Sequence, residues 1–244
     1  MQPLDIAYAA GVFVLAGLVK GLVGLGLPTV AMGLLAIRLP PAEAAGLMLL
    51  PSFLTNLWQM AGPAFWPLTR RLGPLFAGAV AGTLAGSGWL AGGNGGAAAG
   101  LGVALFAYAG FGLSGLRLAA PRRHEGALSL AIGVATGMVT AATGVFVMPS
   151  VPWLQALGLA KEELVQALGL FFTVATLALA LSLAGAGALG ATTIGGSVLA
   201  VLPALAGMAI GQATRRRISE AKFRRWLFAA LGALGLHLVL RAVM

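Results

Sequence analysis

Lys20 is the one charged residue in the apolar stretch Ile6–Ile37. Four residues on, Gly24-Leu25-Gly26-Leu27-Pro28-Thr29 interrupts that stretch. Pro28 suits the first turn of a helix, where its missing N–H costs nothing. A helix beginning there aims free backbone N–H groups and the positive end of its dipole at the break. A cation, a glycine-containing loop and a helix start are together the parts of an anion site. The lysine has no acidic residue in a nearby apolar run. Its partner is either an anionic substrate or, if the side chain snorkels, water and backbone carbonyls.

A second apolar stretch, Gly126–Leu157, carries Thr140-Ala-Ala-Thr143-Gly144 at the matching place, with Thr136 where the first has Lys20. Thr143 and Gly144 are expected to start a short helix as Leu27-Pro28 does. Ser52, Thr55, Asn56 and Gln59 fall at i, i+3, i+4 and i+7, on one helical face. Asn56 is the costliest of them to leave unpaired in an apolar surrounding. The corresponding later run carries Gln166, Thr173 and Thr176. The expected substrate-binding set is therefore Lys20, Gly24, Gly26, Pro28, Thr29, Asn56, Gln59, Thr140, Thr143 and Gly144. The plainer reading makes the breaks helix kinks and the polar stripes helix-to-helix contacts.

Other chemistry lacks its parts. There is no cysteine, and the two histidines, His124 and His237, are far apart without companion carboxylates, so no metal or other cofactor is expected. Asp5, Glu43, Glu125, Glu162, Glu163 and Glu220 lie at segment ends or in loops. That leaves no embedded acid to carry protons. No Ser–His or carboxylate–His grouping falls within an apolar run, so an enzyme is not expected.

The elements that must position these residues are apolar throughout. With 59% of 244 residues hydrophobic and 9% charged, and a mean hydropathy of +0.98, the chain cannot cover its surface with charge. Lipid must be its main solvent. Six runs of about 20 residues have membrane-crossing length: Ala42–Ala61, Leu72–Ala91, Ala97–Leu118, Glu162–Ala184, Thr193–Gln212 and Lys222–Val243. Gly62-Pro63, Gly92–Gly96 and Gly185–Gly187 punctuate them. Trp66, Trp89, Trp153 and Trp226 read as interface anchors, and Trp58 as packing beside the pathway.

The halves repeat. Pro74-xxx-Gly78-xxx-Gly82 matches Pro203-xxx-Gly207-xxx-Gly211, both small-residue stripes suited to close helix packing. Charge decides how the two broken stretches sit. If each crosses once, positive residues divide six against eight; if each enters and returns, they divide twelve against two, with Lys20 inside. The strong bias favours the second arrangement. The expected fold is an all-α integral membrane protein of two inverted repeats, residues 1–119 and 120–244. Each is a broken, re-entrant hairpin (6–37 and 126–157) followed by three transmembrane helices, with both termini outside. The break lies in the middle of each hairpin, and the two tips meet at the site. The net charge of +9 then serves topology, and no nucleic acid is expected. Met1–Asp5 has no Lys or Arg ahead of the apolar run, so no cleaved leader is expected.

The Gly17–Pro28 stretch, its weaker copy at Gly133–Pro149 and the two-half layout resemble the TauE/SafE family of sulfite exporters. The resemblance covers essentially the whole chain. It implies movement of sulfite, organosulfonates or related small anions across the bacterial cytoplasmic membrane. The family's tip is often Gly-x-Gly-Gly-Gly before Pro; here the first tip keeps Gly24 and Gly26 and the second Gly144 among threonines. Threonines and an embedded lysine suit a larger organic anion equally well. The expected partners are a small anion, the lipid bilayer and a second copy of the chain. Transport of a carboxylate, or a non-transport assembly role, are the alternatives.

Overall fold

The computed structural model describes residues 3–92, 96–116, 118–215 and 219–243. The Gly93–Gly95 part of one expected turn, and Arg117, Arg216 and Arg217 of the charge count, lie outside the described residues. Ten α-helices and no strand occur among those described: α1 (Pro3–Val23), α2 (Leu27–Leu35), α3 (Pro41–Met60), α4 (Phe65–Ala85), α5 (Gly96–Ser114), α6 (Glu125–Thr143), α7 (Ser150–Ala156), α8 (Lys161–Gly185), α9 (Ala191–Thr214) and α10 (Glu220–Val243). Six of them, α1, α5, α6, α8, α9 and α10, are long and apolar enough to cross a membrane. The chain is an all-helical integral membrane protein. Helices α3 and α4 have comparable length, but one carries the polar stripe and the other Arg70 and Arg71.

Helix α4 begins seven residues earlier than its apolar run. Arg70 and Arg71 continue a helix readily, and Arg71 is anchored at its own level by Glu125, at 2.6 Å. The helix ends at Ala85, and Gly88 beyond it takes φ 94°.

Each broken stretch folds as one long arm and one short arm, so the break is not central as expected. Helix α1 has 21 residues and α2 nine; α6 has 19 and α7 seven. The short arms rise only about 10–14 Å at 1.5 Å per residue, under half a bilayer core. Both hairpins nonetheless come back to their starting end. Tyr8 near the start of α1 donates to the Leu34 carbonyl at the end of α2, at 2.6 Å. In the second, Arg71 bonds both Glu125, where α6 starts, and the Leu157 carbonyl just after α7.

The principal packing is the same read from either half. Helix α1 lies along α9 as α6 lies along α4; α3 meets α8 and α9 as α8 meets α3 and α4; α5 pairs with α10. Glycine makes the closest of these contacts. A Cβ on Gly17 would stand 2.1 Å from the Ala204 carbonyl oxygen, and one on Gly207 2.0 Å from that of Val14. The counterpart positions, Gly133 and Gly78, would meet the Leu75 and Leu130 carbonyls, both at 2.3 Å. The glycine stripes are packing faces, as their spacing suggested.

Outward-facing positions are richly apolar, with Leu199, Leu202 and Leu181 more than 60% exposed. Such a surface belongs against lipid. Trp66, Trp89 and Trp226 are exposed on it. Trp153 is not an anchor: it is buried, and its Nε1 donates to Ser129 Oγ at 2.9 Å. Trp58 is 77% exposed and so does not pack inside beside a pathway.

Candidate functional site

The first hairpin turns on glycines in the left-handed region. Gly24 has φ 82° and Gly26 φ 108°, conformations that a Cβ strongly disfavours. Helix α2 starts directly afterwards, with Pro28 in its first turn. Its first internal bond is that of Val30 N–H to the Gly26 carbonyl, at 2.8 Å. The earlier N–H groups have no helical acceptor, so the positive end of this nine-residue helix faces the turn.

Lys20 sits one turn before that tip and is only 4% exposed. It does not snorkel. Its Nζ donates to Thr55 Oγ1 at 3.1 Å and, more closely, to Asn56 Oδ1. No carboxylate among the described residues pairs with it. Both acceptors are neutral, and Thr55 itself donates to the Pro51 carbonyl at 2.7 Å. An ammonium has three N–H donors, so one remains beyond these two contacts. The lysine also fixes the asparagine's orientation: Oδ1 must face Nζ, which turns the Nδ2 amide group elsewhere.

That amide group has no partner among the described residues. Neither do Thr29 Oγ1, Ser52 Oγ or Gln59 Oε1, and among the described residues these four are the buried side-chain polar atoms so left. All lie on α2 and α3, the two helices packed at the first tip. An unsatisfied buried polar group costs ~1–3 kcal/mol, so four in one place need an explanation other than packing. Gln59 is engaged at its other end. Its Nε2 donates to the Gly24 carbonyl at 2.8 Å and the Val165 carbonyl at 3.0 Å, tying the tip to α8.

The second hairpin is built differently. Gly144 (φ 72°) closes α6, and Thr143 is the last residue of that helix. Neither starts a helix, contrary to expectation: α7 begins only at Ser150, after the non-helical Val145-Phe146-Val147 stretch. Those three side chains are wholly buried. The threonine hydroxyls are spent on their own helix. Thr136, Thr140 and Thr143 donate to the carbonyls of Ile132, Thr136 and Val139 at 2.7–2.8 Å, and Thr143 also accepts the Val145 N–H. Gly144 N–H bonds the Thr140 carbonyl.

The tips also stand at different levels. Gly24 is bonded to Gln59 near the end of α3, whereas a Cβ on Gly144 would touch Met32 and Ala45, near its beginning. About four helical turns, roughly 20 Å, separate these levels along α3. The expected meeting of the two tips at one site does not occur. The structure draws Lys20, Asn56, Gln59, Gly24, Gly26, Pro28 and Thr29 together and leaves Thr140, Thr143 and Gly144 apart. Ser52 and Thr55 complete the cluster. Both stood in the polar stripe, where hydroxyls that bond their own helix and hydroxyls that reach a lysine look alike in sequence.

Lys20 is thus a buried cation held by neutral acceptors inside an all-helical integral membrane protein. The chain belongs to the sulfite exporter TauE/SafE family, whose model matches residues 9–238, nearly its full length. That family consists of membrane transporters of sulfur-containing anions rather than enzymes. Neither a curated protein nor a solved structure matches the chain.

Proposed function

We propose that this protein carries a small anion, sulfite or an organosulfonate, and that the anion binds at the first tip alone. The observation carrying the reading is the set of orphaned polar atoms around a carboxylate-free lysine. Thr29 Oγ1, Ser52 Oγ and Asn56 Nδ2 can each donate, and the third N–H of Lys20 and the first turn of α2 add further donors. An oxyanion needs donors of this kind. A charge-assisted hydrogen bond is roughly twice as strong as a neutral one, so an incoming anion offsets the cost of holding the ammonium in an apolar interior. Gln59 Oε1, an acceptor, suits a protonated group on the substrate or an amine beside a sulfonate.

Orientation follows from charge. Arg70, Arg71, Arg123, Lys161, Arg215, Lys222, Arg224 and Arg225 belong to the end where the second hairpin closes; Arg38 and Arg241 belong to the other, where Arg241 donates to the Ile37 carbonyl at 2.6 Å. The positive-inside rule makes the first end cytoplasmic and places both termini outside the bacterial cytoplasmic membrane. The halves 1–119 and 120–244 are then inverted repeats, a reading supported by their matching helix partners.

The test is flux in liposomes holding the purified protein, with sulfite, taurine, methanesulfonate and acetate each loaded on one side. Uptake of a sulfur anion above empty vesicles, lost in Lys20→Met, is expected. Acetate moving in preference would reassign the carrier to carboxylates. No flux of any of the four would remove the transport reading.

A further inference from the structure

A cavity of about 490 Å³ opens beside the first tip, and Val23 and Leu25 of that tip form part of its wall. Its mouth carries three cations from three different helix ends: Lys161 at the start of α8, Arg215 just past α9 and Arg224 in the first turns of α10. Arg215 and Arg224 are exposed and form no ion pair among the described residues. The inner wall is apolar. Leu168 and Phe228 are buried there, and Tyr108 is packed edge-on against Phe228 with ring centroids 5.1 Å apart. The Tyr108 side chain is 2% exposed.

Cavities elsewhere show that this combination is not general. One of the same volume between α1 and α9 is lined by Ile6, Phe13, Leu199 and other uncharged residues, which suits a lipid chain. Another, beside Arg38 and Arg241, has cations already engaged: Arg38 lies 4.7 Å over the Tyr8 ring and Arg241 bonds the Ile37 carbonyl.

We infer that the cavity at the first tip is a separate binding site for an anion bearing an apolar group, its charge held at the mouth by Lys161, Arg215 and Arg224 and its apolar part on Leu168, Phe228 and Tyr108. Its role as an antechamber to Lys20 rests on the transport reading; its existence as a site does not. Arginine forks hold sulfonate, carboxylate and phosphate oxygens alike. The ligand is therefore either a soluble organic anion or the headgroup of an anionic lipid entering from the membrane.

The experiment measures equilibrium binding of methane-, butane- and hexanesulfonate to the protein in nanodiscs of zwitterionic lipid, with empty discs subtracted. Hexyltrimethylammonium serves as the cationic control. Affinity is expected to rise roughly fourfold per methylene, with no binding of the cation. Arg224→Ala and Arg215→Ala, checked for unchanged melting temperature, should each weaken hexanesulfonate about tenfold, as loss of a charge-assisted contact does. Lys20→Met should leave this binding intact while abolishing flux. Equal affinity for methane- and hexanesulfonate, or wild-type affinity in both arginine variants, overturns the inference. Discs containing phosphatidylglycerol separate the sources. Loss of sulfonate binding there, with lipid retained by the wild type but not by Arg224→Ala, assigns the site to lipid; persistence assigns it to a soluble anion. Absence of flux in wild type alongside intact binding would remove the transport reading and leave this site standing.

Discussion

The two hairpins share a scaffold and differ in chemistry. Each has a spanning arm, a short returning arm and a glycine-lined contact with a helix of the other half. In the first, Lys20, Thr29, Ser52, Asn56 and Gln59 leave polar valences open in a buried place. In the second and its helix α8, the comparable residues are satisfied locally. Thr173 and Thr176 bond the Gly169 and Phe172 carbonyls, and Gln166 bonds the Met60 carbonyl and the Ala64 N–H. Around its tip, Phe146 packs on Phe172 at 5.3 Å. The frame occurs twice; the open polar valences stand in the first copy.

The largest effect should fall on what the halves share. Gly207→Val and Gly78→Val each drive a side chain into a facing carbonyl within a backbone contact that cannot yield. Both should exceed the ~1–3 kcal/mol of ordinary overpacking and lower the melting temperature of the purified protein to a similar degree. Unequal losses would mean that the two contacts are not equivalent.

Asn56→Leu should separate the halves. It removes a donor to the substrate and the acceptor of Lys20, so flux should fall roughly 10–100-fold. Thr176→Val, on the counterpart helix, loses only a bond to its own backbone and should change flux by less than about twofold. Similar losses in both would place the pathway between the halves.

Smaller still is Gly26→Ala. The left-handed turn costs an alanine ~1–2 kcal/mol, and the new Cβ would stand 3.0 Å from Val19 Cγ1. A reduced melting temperature with a weakened anion affinity is expected; unchanged affinity would detach the turn from binding. The least effect belongs to Thr143→Val. It loses the hydroxyl that receives the Val145 N–H, worth about 1 kcal/mol in melting experiments, with anion affinity as in wild type.

Much of this was legible in sequence because lipid simplifies the problem. Apolar runs of bilayer length, glycine stripes and the uneven placement of arginines each report one physical requirement. The first tip could be read because Gly24, Gly26 and Pro28 encode a turn and a helix start directly. The second misled for a physical reason: Thr140 and Thr143 can line a cavity or bond their own helix, and periodicity does not distinguish the two. Spacing did not show that the two tips stand at different levels, which depends on where Gln59 and Tyr8 fasten the first hairpin. Trp153 was misplaced similarly, because a tryptophan near a segment end serves an interface or a buried serine equally well.

The most direct test of a site confined to the first tip is anion-induced thermal stabilisation of wild type, Lys20→Met and Thr143→Val, with sulfite as the probe. At a hundredfold excess over its Kd, sulfite should stabilise wild type and Thr143→Val by about 2.7 kcal/mol, and Lys20→Met not at all. Stabilisation retained in Lys20→Met and lost in Thr143→Val would contradict the account and move the site to the second tip.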